Sequence, residues 1–141
     1  MKKKIFIYAN TLVPMLIGSL MYYLISPDVV FVRCIDEIMG LNLHISYEST
    51  FIEIIRNYIP DILWAYALVF SLLLVTGNKA EHIWKIYVTA GIFSIAIEVL
   101  QLTGYVKGTF DVIDIIVELI AEFVAVFIIK IIMRRKSYEE I

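Results

Sequence analysis

The sequence predicts an all-α integral membrane protein, with four transmembrane helices in an up-down bundle. Of the 141 residues, 61% are apolar, whereas a soluble domain is about 45–50% apolar. The apolar residues gather in four blocks, each close to the roughly 20 residues that a helix needs to cross a bilayer. We therefore expect one transmembrane domain that covers residues 1–141.

The first predicted span covers residues 5–25. It follows three lysines and ends near Tyr22 and Tyr23, which suit the aromatic belt at a membrane interface. A signal peptide begins in the same way, but its apolar region is only about 7–15 residues long and a cleavage site follows it. The run here is longer and no convincing site follows, so an uncleaved helix is expected.

The segment 26–59 mixes charged and apolar residues, which predicts a structured extracytoplasmic loop. Pro27 suits the start of a short helix that ends near Gly40, and Ser49 suits the cap of a second one. Both pieces can lie on the membrane surface. Two interpretations stay open, a connector that caps the bundle and a lid that covers a site.

The remaining spans are predicted at 60–75, 83–102 and 110–133. Pro60 is tolerated at the start of a helix. Two short turns with glycine, at 76–79 and 103–109, separate these spans, as is typical of turns. Neighbouring helices are therefore expected to run antiparallel.

The distribution of Lys and Arg predicts the orientation. With the N-terminus inside, nine of the twelve basic residues lie on the cytoplasmic side, and Arg33, Arg56 and Lys107 lie outside. Because cytoplasmic loops carry the excess of Lys and Arg, both termini are expected in the cytoplasm. The long polar loop then faces outward.

The fourth helix is predicted to carry an acidic stripe. Its members are Asp111, Asp114, Glu118 and Glu122. Their offsets of 0, 3, 7 and 11 place them on one face of a helix. A charged residue at the bilayer centre costs about 2.5–3.5 kcal/mol. The stripe must therefore face the bundle, a cavity or a partner chain.

Each acid also has a structural interpretation. Asp111 and Asp114 lie where acids cap a helix and complement its dipole. Glu118 and Glu122 have no Lys or Arg nearby in sequence, so crowding favours their protonated forms. A protonated carboxyl can either hydrogen-bond between helices or exchange protons and cations.

The third helix adds Glu98 and Gln101, which are three residues apart and share a face. A short turn brings them near the start of the fourth helix, where Glu98 and Glu118 are expected to be neighbours. A hydrogen bond between helices is the structural alternative. Trp64 and Tyr66 complete the candidate ligand contacts, with belt or packing roles as their alternative.

Other chemistry has little support in the sequence. No GxSxG, HExxH or glycine-rich phosphate loop occurs, so enzyme activity is not expected and no cofactor is predicted. Cys34 is the single cysteine, and no Cys/His grouping predicts a metal site. The net charge of −2 offers no basic field for nucleic acid.

Two motifs carry a resemblance to a known family. Glu98 and Gln101 form an E-x-x-Q pair, and residues 110–114 form an F-D-x-x-D group. Together with residues 60–66, they resemble the VanZ-like family of small bacterial membrane proteins, over about residues 58–130. The resemblance implies a role at the cell envelope, in the bacterial cytoplasmic (inner) membrane. The family is named for a protein associated with resistance to the glycopeptide teicoplanin.

The chain departs from the family pattern at three positions. Gly108 stands where many members carry Arg, Glu118 where they carry Asn, and Ala121 where they carry Gly. The departures remove one cation from the acidic group and add one acid. Lys107 is a nearby basic residue that can snorkel toward it.

Three functions remain open at this stage. The first is an envelope protein whose outward acidic site binds a cation, a cationic ligand or a lipid headgroup. The second is a small proton-coupled oligomeric transporter, motivated by Glu118 and Glu122. The third is a non-catalytic scaffold that mates with another membrane protein. Membrane lipids are expected partners, and a homo-oligomer stays open because burying many carboxylates in one small bundle is costly.

Overall fold

The computed structural model describes residues 2–26, 30–40, 43–45, 49–77, 82–106 and 108–139. Within these ranges every regular element is a helix, which confirms the all-α prediction. The helices are α1 (Lys2–Ile25), α2 (Val30–Met39), α3 (Thr50–Val75), α4 (Ile83–Leu102) and α5 (Val112–Glu139).

Three of the described helices are long and apolar enough to cross a membrane. They are Lys4–Ile25 in α1, Thr50–Val75 and Ile83–Leu102. The prediction of a membrane protein is thereby supported. Helix α5 is not among the three, and it carries three carboxylates in its first three turns. The fourth span and the orientation stay predictions.

Helix α3 is one element where a surface helix and a separate span were expected. It begins at Thr50, after Ser49 at the N-cap, and passes without interruption through Pro60. The expected start of this helix at residue 60 was therefore wrong. Pro60 is buried in the bundle, and packing against neighbouring helices sustains a proline inside a membrane helix. The Ser49 side chain makes no capping hydrogen bond.

The limits of the other helices differ less from the predicted ones. Helix α2 ends before Gly40, whose φ of 64° suits the left-handed cap that glycine provides. Pro27, the expected start of this helix, lies outside the described residues, as do residues 78–79 of the next predicted turn. Helix α5 begins two residues later than predicted and continues six residues past 133, because Arg and Lys sustain a helix well.

Helix α3 is the centre of the bundle and packs against α1, α4 and α5. Phe6, near the start of α1, packs against Phe70, and Tyr22, near the end of α1, packs against Trp64. Helices α1 and α3 are therefore antiparallel. Helix α4 is likewise antiparallel to α5.

The bundle has two ends with different contents. The core end holds the start of α1, the end of α3, the start of α4 and the later turns of α5, and the cavity end lies opposite. The apolar core occupies the core end. Its buried members are Ile7, Val69, Phe70, Leu73, Ile83, Ile86, Ala90, Ala125, Val126 and Ile129.

Candidate ligand-binding site

Asp111 begins helix α5 as its N-cap. Its Oδ1 accepts a hydrogen bond of 2.8 Å from the backbone N–H of Ile113, which satisfies a donor that the first turn leaves open. Its Oδ2 accepts a longer bond of 3.4 Å from the Tyr58 hydroxyl of α3. The structural interpretation of Asp111 as a cap is thus correct, and the residue also links α5 to α3.

Glu98 and Gln101 hold the end of α4 against the start of α5. Glu98 is 4% exposed, and its Oε2 accepts a hydrogen bond of 3.2 Å from the backbone N–H of Asp111. The Gln101 side chain lies against Gly108, where an added Cβ would come within 2.6 Å of the Gln101 Cδ. A side chain at 108 would displace the Gln101 amide from this position, and the E-x-x-Q and F-D-x-x-D motifs meet there.

A cavity of about 560 Å³ opens at the cavity end of the bundle, and we call it the end cavity. Its walls combine three carboxylates, three aromatic rings and one described guanidinium. These belong to Asp61, Asp111, Asp114, Tyr22, Tyr58, Trp64 and Arg56. Carboxylates and ring faces both attract cations, so this lining suits a positively charged group.

A second cavity of about 380 Å³ lies between α3, α4 and α5, and we call it the side cavity. Four lining residues are common to both cavities. They are Asp61, Trp64, Gln101 and Asp114. The side cavity adds the carboxylates of Glu98 and Glu118, with the remaining wall mainly apolar. Glu98 and Glu118, expected to be neighbours, thus line one cavity.

Glu122 lies deeper in the bundle, one turn beyond Glu118. It is 0% exposed, and its Oε1 accepts a hydrogen bond of 2.8 Å from the Ser94 hydroxyl of α4. Ser94 also lines the side cavity. Gly91 of α4 makes room for the neighbouring Leu119, since a Cβ there would lie 2.9 Å from Leu119 Cδ2, with Glu122 Oε2 at an ordinary contact distance of 3.5 Å. Glu122 therefore closes the carboxylate stripe beneath the side cavity.

Three buried carboxylate oxygens have no hydrogen-bond partner among the described residues. They are Asp114 Oδ1, Glu118 Oε2 and Glu122 Oε2. A buried polar atom without a partner costs free energy, so these positions are explained by a bound proton, cation, water or ligand group. The stripe faces the bundle and its cavities rather than lipid.

The structure separates the two aromatic candidates of α3. Trp64 lines both cavities, and its ring centroid is 5.7 Å from that of Tyr22. Tyr66 points toward α1, where its hydroxyl donates a 2.7 Å hydrogen bond to Asn10 Oδ1. Its ring packs 5.0 Å from that of Phe70. Tyr66 is therefore not brought to the carboxylates.

Several residues of the site were not found from sequence, among them two acids or bases and one aromatic residue of α3. Asp61 lines both cavities, and Arg56 and Tyr58 line the end cavity. An acid inside the apolar stretch that begins at Pro60 was a usable signal for Asp61. Arg56 and Tyr58 were assigned to the loop, because the start of α3 was placed too late. Lys107 lies outside the described residues.

A separate polar cluster fastens the loop to the end of α1. Asp36 of α2 accepts hydrogen bonds of 2.6 Å from the Tyr23 hydroxyl and from His44 Nε2. The Tyr23 hydrogen bond, followed by that of His44, holds the pKa of Asp36 below its usual value. The Ile45 N–H also donates to the Leu24 carbonyl. None of these described residues lines either cavity, whereas Ser26, Arg56 and Tyr58 of the predicted loop line the end cavity, so both interpretations of the loop stay open.

Within the described part of the chain, no three His, Cys, Asp or Glu side chains are grouped closely enough to hold a metal ion. The carboxylates instead spread along two cavities and two helices.

Comparison with known proteins identifies no relative of this chain. No family model, no curated protein and no solved structure matches this chain.

Proposed function

We propose that the chain is a VanZ-like protein of the cell envelope, in the bacterial cytoplasmic membrane. In this proposal four helices span the bilayer, both termini are cytoplasmic and the cavity end faces outward. There the acidic site binds a cation, a cationic ligand or a lipid headgroup. The observation that carries the proposal is the end cavity, where Asp61, Asp111 and Asp114 lie beside three aromatic rings.

The surface of α5 supports a fourth span. Its 28 residues correspond to about 42 Å at about 1.5 Å per residue, more than the roughly 30 Å hydrocarbon core. Its acids face the bundle, whereas its exposed side is apolar. That side includes Val112, Ile116, Ile120, Phe123, Phe127 and Ile131. Lipid would therefore meet only apolar side chains along most of α5.

The excess of acid over base supports a positively charged ligand. Five carboxylates line the two cavities, whereas Arg56 is the described cation among their lining residues. Like charges confined in a low-dielectric site repel one another strongly. A bound cation relieves this repulsion, so ligand binding is expected to stabilise the fold by mass action.

Thermal unfolding of the purified full-length protein tests the proposal. Inorganic cations, organic amines and lipid headgroups are titrated against the native chain, Asp61→Asn and Asp114→Asn. Glu37→Gln is the control, because Glu37 is an exposed acid of α2 that lines neither cavity. We expect a ligand-dependent rise in Tm that both Asp variants lose and the control keeps. Equal shifts in all four proteins would refute the proposal.

A proton-coupled transporter is a second candidate, favoured by the Glu122–Ser94 contact. A fully buried carboxyl with one unpartnered oxygen is a recognised proton carrier in membrane transport. In proteoliposomes with an imposed pH gradient, this function predicts ligand uptake that Glu122→Gln abolishes while ligand binding persists. Absence of gradient-driven uptake by the native chain would remove this candidate.

A further inference from the structure

The end cavity and the side cavity lie side by side and have part of their wall in common. They share Asp61, Trp64, Gln101 and Asp114, so a ligand held at the shared wall reaches both. The two shared carboxylates come from α3 and α5, which places a negatively charged junction between an opening at the helix ends and a space within the bundle.

The side cavity also reaches the flank of the bundle. Phe93 and Ile97 of α4 line it, yet they are 60% and 37% exposed. These two residues belong to a helix that is long and apolar enough to span a membrane. Together with Leu68 of α3, they give the side cavity an apolar wall where α3 and α4 meet, on the exposed flank of the bundle.

The end cavity is therefore mainly polar, whereas the side cavity combines four carboxylates with an apolar wall. Asp61 and Asp114 meet the Trp64 ring at the junction, and carboxylates beside an indole suit an ammonium group. Arg56 lines the end cavity, so an anionic phosphate beside the ammonium meets the opposite charge. Leu68, Phe93 and Ile97 suit a hydrocarbon chain. A soluble cation would use only the polar part.

Unpartnered buried oxygens mark where the headgroup is held. Asp114 Oδ1 and Glu118 Oε2 are buried without a hydrogen-bond partner among the described residues, and both residues line the side cavity. Beneath the side cavity, Glu122 is 0% exposed. One of its oxygens is bound to Ser94, which lines that cavity, and the other has no partner among the described residues. An ammonium group has three N–H donors. These donors can supply the hydrogen bonds that the unpartnered carboxylate oxygens lack.

We propose that the ligand is a membrane lipid with an ammonium-bearing headgroup, and that it enters sideways between α3 and α4. This inference rests on the proposed function and names its ligand class. The ammonium group lies between Asp61 and Asp114 beside Trp64, and the acyl chain leaves the bundle past Leu68, Phe93 and Ile97.

Fluorescence of Trp64 in lipid nanodiscs tests the ligand class. Trp84 lies outside both cavities, and Trp84→Phe leaves Trp64 as the single indole. Phosphatidylethanolamine and phosphatidylglycerol with the same brominated chains are compared as quenchers. We expect stronger quenching by phosphatidylethanolamine, with this preference reduced about tenfold in Asp61→Asn, as for the loss of one charge-assisted hydrogen bond. Equal quenching by both lipids overturns the proposal.

A matched pair of variants tests the sideways entry. Ile97→Phe narrows the side cavity, whereas Ile95→Phe makes the same change at an exposed residue of α4 that lines neither cavity. We expect Ile97→Phe alone to lose the preference for phosphatidylethanolamine. Glycerophosphoethanolamine, the same headgroup without chains, should still alter Trp64 fluorescence in both variants.

The outcomes separate this inference from the proposed function. If glycerophosphoethanolamine binds as tightly as the lipid and Ile97→Phe has no effect, entry from the aqueous side is shown and the sideways route is wrong, while the acidic cation site stands. If no ammonium compound binds in a manner that Asp61→Asn weakens, both fail.

Discussion

The two ends of this helix bundle use their buried positions differently. At the core end the buried positions hold Val69, Phe70, Leu73 and Val126, which pack into one apolar cluster. At the cavity end the helices enclose two cavities lined by five carboxylates. The helices at the two ends are the same four, so the difference arises from side chains and not from the backbone arrangement.

This difference assigns stability and binding to separate places. Close packing of apolar side chains stabilises a fold through many small contacts, whereas carboxyl oxygens without partners cost free energy. A protein violates its own packing rules mainly at functional sites. Substitutions at the core end should therefore affect folding most, and those at the cavity end should affect binding most.

The largest effect is expected for Phe70→Ala at the core end. Phe70 is 0% exposed and belongs to the apolar cluster, so its truncation leaves a cavity and costs about 3 kcal/mol of unfolding free energy. Phe127→Ala is the matched control, because Phe127 is 55% exposed on α5. Thermal and denaturant unfolding in detergent measure both. Equal losses of unfolding free energy in the two variants would contradict the assignment of stability to the core end.

The second effect concerns the boundary between the ends, at Ser94. In Ser94→Ala, Glu122 loses the donor to its Oε1, and leaving a buried acceptor unsatisfied costs about 1–3 kcal/mol. Ser71→Ala is the control, because the Ser71 hydroxyl donates only to the Ala67 carbonyl within α3. Unfolding free energies of both variants are compared. A control loss as large as that of Ser94→Ala would contradict a special role for Glu122.

The third effect distinguishes two roles of Asp111, as a helix cap and as a charge for ligand binding. Asp111→Ala removes the cap on the Ile113 N–H and should cost about 1 kcal/mol. Asp111→Asn keeps the cap, since Asn caps about as well as Asp, and should leave stability unchanged. Thermal unfolding and ligand-induced Tm shifts are both measured. If Asp111→Asn also keeps the ligand shift, Asp111 serves the helix and its charge is not needed for binding.

The smallest effect lies outside both ends, in the loop cluster at Asp36. Its pKa is lowered by the Tyr23 hydroxyl bond, so the cluster contributes stability above the ordinary Asp value of about 3.9. That contribution is lost as the pH falls through the lowered value. The protection factor for hydrogen exchange at residues 43–45, which corrects for the intrinsic exchange rate, should fall as the pH drops below the ordinary Asp value of about 3.9. In Asp36→Asn protection should be lower at pH 5 and lack this further fall; an unchanged profile would contradict the role of Asp36.

Much of the fold was predictable from sequence, because the lengths of the apolar segments determine where the long helices lie. The limits of α1 and α4 lie within a few residues of the predicted 5–25 and 83–102. The start of α3 was missed because proline is a strong local signal for a helix start, and only tertiary packing around Pro60 overrides it. The residues next to Pro60 in sequence do not predict that packing.

The site was predictable only where one helix determines it. The stripe on α5 follows from the helical period, and the structure turns those acids inward. Trp64 and Tyr66 were grouped although two residues are about 200° apart around a helix, and one faces the cavities while the other binds Asn10. Asp61 joins the site through the contact of α3 with α5, which no single-helix pattern predicts.

Gly18 of α1 brings the first helix into close contact with the wall of both cavities. A Cβ at this position would lie 2.8 Å from Trp64 Nε1, so the two helices touch at the wall of both cavities. Helix α1 is otherwise mostly exposed, and lightly packed membrane helices tilt to match the hydrocarbon thickness. A tilt of α1 slides Gly18 past the indole, and we expect ligand affinity to vary between thin and thick membranes.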